Sequence, residues 1–124
     1  MSLLFTPLQL GPVRLANRIA LTAMVTRLSG EDGFVNQAIR DRYVRFARGE
    51  AGLIILEAMA VHRSKSGPLL RICGDENIPG LADLARAIHE TGPSMVMPQI
   101  IHFLKVARSG WRQTVELLSR DEIR

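Results

Sequence analysis

The chain has 124 residues, 47% of them hydrophobic and 23% charged, which is the composition of a globular protein and excludes an extended disordered chain. Its formal net charge is +4, but the arginines that carry it are scattered from Arg14 to Arg124, which favours a solvated surface over a nucleic-acid-binding face. No apolar stretch approaches the roughly 20 residues of a membrane span, and the single cysteine, Cys73, excludes an internal disulfide or a cysteine-based metal site, so that a cytoplasmic location is expected.

The first half of the chain predicts a hairpin, a strand, a helix and a second strand. Short apolar pieces flank a Gly-Pro pair within Gln9 to Leu15, which indicates a small hairpin. Ile19 to Met24 is the expected first buried strand. Apolar residues recur at helical spacing in Asn36 to Arg48, which predicts an amphipathic helix. The branched apolar run from Leu53 to Leu56, closed by Glu57, predicts a strand covered on both faces.

The second half continues the alternation. Val61 to Gly74 is polar and irregular and predicts a long loop, after which Asn77 is the expected cap of a second helix. Ser94 to Gln99 is the expected third strand, and His102 to Leu118 is expected to be mainly loop. Ser119 to Glu122 has the spacing of a capping box, so a helix should begin there. The chain ends soon afterwards, and a truncation is therefore expected.

Strands and helices that alternate in this way predict an α/β fold with a parallel sheet. The pattern alone leaves a barrel and a doubly wound sheet open. No glycine-rich turn follows the first strand, where Thr22 to Thr26 stand instead, and this weakens the dinucleotide-binding alternative. A (β/α)8 barrel needs roughly 250 residues, so a barrel would be incomplete here.

Four segments in order carry a family resemblance. They are Leu4 to Leu8 with Leu15 to Ile19, Tyr43 with Ala47 to Gly49, Gly52 to Ala58, and Gln99 to His102. Together they resemble the Old Yellow Enzyme or NADH:flavin oxidoreductase family. The resemblance implies the N-terminal portion of a (β/α)8 TIM barrel, with about three strands and their helices. Residues 1–17 would be the leader and hairpin, and residues 18–124 the first three strand units.

The resemblance also implies a function. The family holds FMN noncovalently across the barrel mouth and passes hydride from NAD(P)H through the flavin to an activated alkene or enoyl-type small molecule. This chain alone would lack the catalytic half, so its expected partner is the missing C-terminal half or a second copy of itself. The alternatives are an inactive truncated fragment and, less favoured, a basic nucleic-acid-binding module. The substrate, the choice of NADH or NADPH and any iron-sulfur cluster are left unspecified, and no metal site is expected.

The residues that the family would use for FMN fall at the ends of the predicted strands, where barrel enzymes have their sites. Gln99 would offer an amide, which both donates and accepts hydrogen bonds, to the polar end of the flavin. Ala23 and Met24 would lie against the ring, and Ala58 would keep the end of the second strand small. For each alanine or methionine, ordinary core packing is the competing interpretation.

Four further residues complete the prediction. Val25 stands where many relatives have Thr or Cys, and valine cannot hydrogen-bond the flavin. Thr26 is adjacent, and the order Met24-Val25-Thr26 resembles the 2,4-dienoyl-CoA reductase branch. His102 follows Gln99 at the family's spacing and belongs to the possible site loop, with a structural role as the alternative. Glu57 could act as a general base, but a carboxylate that ends a buried strand is more often hydrogen-bonded to neighbouring backbone.

Overall fold

The computed structural model describes residues 2–63 and 67–102. The helices and strands are β1 (Leu8–Leu10), β2 (Val13–Leu15), β3 (Ala20–Leu21), α1 (Gln37–Arg48), β4 (Leu53–Ala60), β5 (Leu70–Arg71), α2 (Ile78–Thr91) and β6 (Met95–Ile101). Short 3₁₀ turns cover Leu3–Phe5 and Asp75–Asn77. The predicted loop up to Leu118 and the helix predicted to begin at Ser119 lie outside the described residues, except for His102.

The predicted hairpin is present, and one side chain ties it to the sheet. β1 and β2 pair antiparallel. Beyond them, Asn17 accepts hydrogen bonds at Oδ1 from the backbone N–H groups of Ile19 (3.0 Å) and Gly52 (2.9 Å). Its Nδ2 donates to the Glu50 carbonyl at 2.7 Å. The hairpin is thereby anchored to the turn that leads into β4, at the amino-terminal end of the parallel strands.

The first helix begins and ends as its sequence predicts. Asn36 caps α1, because its Oδ1 accepts a hydrogen bond from the Ile39 N–H at 3.0 Å. Its Nδ2 donates to the Leu28 carbonyl at 2.7 Å, which ties the preceding loop to the helix. The buried residues are Ile39, Tyr43 and Ala47, spaced four apart as one helical face requires. This face packs on the sheet.

The second helix differs from its prediction at the start. Asn77 does not cap α2 with its side chain. Its Oδ1 instead accepts a hydrogen bond from the Cys73 N–H at 3.3 Å, because a 3₁₀ turn precedes the helix and turns the asparagine back toward the loop. That loop also contains the short strand β5, which the irregular composition of Val61 to Gly74 did not indicate. Leu84 and Ile88 of α2 are fully buried in the same core as α1.

Three parallel strands in the order β3, β4, β6 form the sheet, with β5 beside the end of β4. β4 is central: Leu53 pairs with Ala20 on one edge and with Met95 on the other. The sequence prompts the expectation of an open edge beside Leu53 to Leu56, and this expectation is wrong. The second of three consecutive parallel strands is flanked on both sides, so the open edges within the described residues belong to β3 and β6.

Two strand boundaries also differ. β3 has two residues instead of the predicted Ile19 to Met24, because the chain after Leu21 leaves the ladder and bonds to a side chain of β4. β4 runs through Glu57 to Ala60 instead of closing at Glu57. The carboxylate does not end the strand because it is buried among hydrogen-bond donors. β6 spans Met95–Ile101, shifted slightly from the predicted Ser94 to Gln99.

In the part of the chain that the structure describes, the backbone of β6 has one edge paired and one edge open. The Met95 N–H donates to the Gly52 carbonyl at 3.0 Å, and the Ile101 carbonyl accepts from the Val61 N–H at 3.1 Å. Since a residue's N–H and C=O point to the same edge and alternate along a strand, Pro98 faces the open edge. No helix among the described residues is long and apolar enough to cross a membrane.

Candidate functional site

The carboxyl ends of the three parallel strands meet at one edge of the sheet. Ala58 of β4 and Gln99 of β6 lie side by side there, at an irregularity in the pairing. The register runs from Leu56 opposite Pro98 to Met59 opposite Ile100, so two residues of β4 face Gln99 alone. Such a bulge bends the strand locally and is frequent beside functional sites. Ala58 and Gln99 are thus neighbours, as their sequence positions predict.

Gln99 has an amide available for a ligand. The residue is exposed, and its side chain makes no hydrogen bond among the described residues. Val96 packs against the helix-side core. Because side chains alternate between faces along a strand, Gln99 lies on the face that points away from the helices. An exposed amide on this face can present both a donor and an acceptor.

The loop after β3 brings apolar side chains to the same edge. Residues 22–27 have no regular secondary structure. Within this loop Met24 and Val25 are exposed to 63% and 41%, whereas Ala23 is half-buried. Ala58 is 2% exposed and projects no bulk beyond its strand. Exposed apolar groups beside a small residue provide a wall on which a planar ring can lie.

Glu57 connects this loop to β4. Its side chain is fully buried, and Oε2 accepts a hydrogen bond from the Thr26 hydroxyl at 2.8 Å. Oε1 accepts from the Thr26 backbone N–H at 3.4 Å. The Tyr43 hydroxyl donates to Oε2 at 3.3 Å and accepts from the Glu57 N–H at 2.7 Å. The expectation that Glu57 is hydrogen-bonded to neighbouring backbone is confirmed, with two hydroxyls added.

The pKa of the Tyr43 phenol is raised in this network. Burial raises the pKa of its phenol to about 12, and the neighbouring Glu57 carboxylate adds to the shift, against a lowering contribution from the Glu57 backbone N–H. The phenol is therefore a hydrogen-bond donor over the whole ordinary pH range. The sequence places Tyr43 on the buried stripe of α1 but does not identify its partner. A buried tyrosine hydroxyl requires one, and this was the available signal.

A second histidine stands beside the predicted one. His102 follows β6, and His62 follows β4, the adjacent strand. Their rings are stacked, with centroids 5.4 Å apart and an interplanar angle of 24°. His62 is absent from the sequence-based site, because His102 is selected there by its spacing from Gln99; the place of His62 just after β4 is the signal that could have found it. Among residues 2–63 and 67–102, no group of three His, Cys, Asp or Glu side chains is arranged to hold a metal.

The described residues fit an isoalloxazine ring. Gln99 supplies an amide without a partner among the described residues, Met24 and Val25 supply exposed apolar surface, and Ala58 has a small side chain. Thr26 does not fit the part of a flavin ligand, because its hydroxyl donates to Glu57 and also accepts from the Leu28 N–H at 3.2 Å. These two bonds tie the loop to β4 and close a turn within it. The structure therefore places the residues predicted to contact the ring at one sheet edge, and Thr26 bonds to Glu57 and to the Leu28 N–H beside them.

The chain matches a known protein family and known enzymes over most of its length. The model of the NADH:flavin oxidoreductase / NADH oxidase family matches residues 3–118. An NADH oxidase of Thermoanaerobacter brockii is 39% identical over 102 residues, which are 80% of this chain and 16% of the relative. An NADPH dehydrogenase of Bacillus subtilis (strain 168) is 36% identical over 102 residues, 80% of this chain and 30% of the relative.

The fold agrees with these sequence matches. The structure of the old yellow enzyme from Trypanosoma cruzi superposes with a TM-score of 0.71 and 30% identity, over 81% of this chain and 27% of that one. The expected fold class, the N-terminal portion of a (β/α)8 barrel, is confirmed. In all three comparisons the chain spans less than a third of the length of the relative.

Proposed function

This chain belongs to the NADH:flavin oxidoreductase / NADH oxidase family, and we propose that it forms one wall of an FMN site in an enzyme that passes hydride from NAD(P)H through FMN to a small activated-alkene or enoyl-type substrate. The observation that carries the proposal is the meeting of the exposed Gln99 amide, the apolar loop and Ala58 at one sheet edge. The names of the relatives, an NADH oxidase and an NADPH dehydrogenase, support the reductant.

The residues divide the work between orientation and enclosure. Gln99 would orient the polar end of the ring through paired donor and acceptor contacts. Met24 and Val25 would cover apolar ring surface and exclude water from it, while Ala58 would let the ring approach the sheet. The assignments of Ala23 to the ring wall and of His102 to the mouth belong to the same proposal. The chemistry itself is that of the flavin.

The proposal extends to the assembly and the compartment. Strands four to eight of the barrel would come from additional polypeptide, either joined to this chain or separate; we call the assembled protein the complete barrel. A cytoplasmic location is proposed because the only cysteine, Cys73, has no partner for a disulfide within the chain. Nucleic-acid binding is not proposed, since Arg40, Arg63 and Arg86 already pair with acidic side chains.

The function is tested by replacing Gln99. We expect Gln99→Leu in the complete barrel to bind FMN more weakly, because one or two hydrogen bonds worth about 0.5 to 1.5 kcal/mol each are lost. Fluorescence titration measures the FMN dissociation constant. The matched control is Gln9→Leu in the hairpin, at the amino-terminal end of the strands. An FMN affinity that is equal in wild type and Gln99→Leu would contradict the assignment, and a wild-type complete barrel without FMN affinity would overturn the function.

A second test concerns Val25, whose side chain has no polar hydrogen. Val25→Thr is expected to move the reduction potential of bound FMN, because a hydroxyl of nearly the same shape adds a hydrogen bond near the ring. Val25→Ile, which stays apolar and branched, should leave the potential close to that of the wild type. Spectroelectrochemistry measures all three proteins. Equal potentials for valine and threonine would mean that Val25 does not face the reactive edge of the flavin.

A further inference from the structure

Glu57 is a fully buried acid without a cation. It forms no salt bridge among the described residues, although a buried carboxylate must be compensated by ion pairing or hydrogen bonds. Three donors from two parts of the chain supply the compensation: the N–H and hydroxyl of Thr26, and the hydroxyl of Tyr43. Such a group is costly to keep in a core that an apolar residue could fill, and its contacts indicate what it holds.

What it holds is the loop after β3. Residues 22–27 make no backbone-to-backbone hydrogen bond within the described part of the chain, so the strand ladder does not fix their path. Thr26 bonds to Glu57 through both its backbone and its side chain. The same hydroxyl accepts the Leu28 N–H. Both hydrogen-bond donors of Thr26, its N–H and its hydroxyl, thus bond to the Glu57 carboxylate.

The position of Glu57 makes this contact relevant to the site. Glu57 directly precedes Ala58, and the two residues form the bulge opposite Gln99. Thr26 directly follows Val25, and neighbouring Cα atoms are 3.8 Å apart. One side chain therefore sets the position of the loop that carries Met24 and Val25 relative to the strand ends that carry Ala58 and Gln99.

We infer that Glu57 is a positioning residue for the flavin: through Thr26 it fixes the ring-facing loop against the bulge, and it contacts neither the flavin nor the substrate itself. This inference depends on the proposed function. Its prediction is that loosening the Glu57–Thr26 contact changes FMN binding and the environment of the bound flavin while β4 and α1 remain folded. A residue of purely structural importance would lower thermal stability without changing the flavin.

The experiment uses the complete barrel and three variants. Glu57→Gln keeps the shape but replaces one acceptor oxygen by a donor, which meets donors from Thr26 and Tyr43. Thr26→Val keeps the shape and the backbone bond but removes the hydroxyl, so the inference stands on a second variant if the first does not fold. Thr26→Ser keeps the hydroxyl and serves as the conservative rescue. The readouts are amide hydrogen exchange at residues 26 and 28, the FMN dissociation constant and the visible spectrum of bound FMN.

We expect Thr26→Val to bind FMN about tenfold more weakly, the equivalent of about one hydrogen bond, with a shifted flavin spectrum and faster exchange of the Leu28 amide. Glu57→Gln should behave alike and also speed exchange at Thr26, while Thr26→Ser should match wild type. Unchanged FMN affinity and spectrum in Thr26→Val and Glu57→Gln, with wild type binding FMN, would overturn the inference. A wild type that takes up no FMN would instead overturn the proposed function. In that case, equal rates of amide hydrogen exchange at residues 26 and 28 in wild type and Glu57→Gln would show that Glu57 does not hold the loop.

Discussion

The 124-residue chain purified alone is expected to self-associate and to bind FMN weakly. Within residues 2–63 and 67–102, β6 is paired on one edge only, and unpaired edges seek another strand. Its exposed apolar side chains include Met97 at 47% and Ile100 at 65%, so an apolar surface lies beside the open edge. The phosphate end of FMN would lack the loops that follow strands seven and eight in barrels. Only part of the ring contacts would remain.

Sedimentation velocity over a concentration series measures the association, and fluorescence titration measures the affinity for FMN. Ile100→Lys, which places a charge beside the open edge, is expected to shift the chain toward the monomer. Leu10→Lys is the matched control, because Leu10 is similarly exposed at 55% but lies in the hairpin. A monodisperse monomer with a concentration-independent thermal transition and FMN binding at about micromolar concentration (roughly 8 kcal/mol) would contradict the prediction.

Alkaline pH is expected to destabilise the fold through Tyr43. Its pKa is 10.0 in the unfolded reference and about 12 in the fold. The folded state therefore favours the neutral phenol, which gives a stabilisation that is complete below pH 10 and is lost as the pH rises from 10 to about 12. The difference between these two pKa values corresponds to roughly 3 kcal/mol of unfolding free energy. Because Tyr43 is 2% exposed, solvent screening reduces this little.

The titration is directly visible, since the chain has a single tyrosine. Ultraviolet absorbance of tyrosinate should rise with a midpoint well above the reference value in the folded chain and near it in denaturant. Denaturant unfolding across the same pH range should lose stability in wild type more than in Tyr43→Phe, which has no phenol to ionise. A midpoint near pH 10 in the folded chain would show that the hydroxyl is accessible to water.

Local patterns predicted those parts of the fold that local interactions determine. The amphipathic helix within Asn36 to Arg48 follows from its apolar spacing, and the hairpin at Gln9 to Leu15 follows from its own turn residues. By contrast, the chain leaves the ladder after Leu21 and bonds through Thr26 to Glu57, 31 positions away. Asn77 likewise turns to Cys73 instead of capping its helix. The local sequence around Thr26 or Asn77 does not show which of the available polar partners the side chain bonds to.

The candidate site was likewise predictable from the sequence only in part. Its residues could be placed from the sequence because Ala58 and Gln99 lie near the carboxyl ends of parallel strands, which meet at one edge of the sheet. The bond between the Thr26 hydroxyl and Glu57 could not be predicted, since these residues are 31 positions apart and only the structure brings them together. His62 was missed because nothing links it to His102 before the strands are aligned. Contact of FMN with these residues and the dienoyl-CoA reductase branch stay predictions.

The placement of Pro98 constrains how the sheet can be extended. Facing outward from β6, it leaves the open edge with carbonyl acceptors at residues 96, 98 and 100 but no donor at 98, because proline has no N–H. An incoming strand must therefore leave one of its carbonyls without a partner at this level, to be met by water or by a break in its own regularity. Registers that put a regular, buried stretch opposite Pro98 are penalised. Pro98 therefore favours an incoming strand whose sequence places an irregular or solvent-exposed position opposite it.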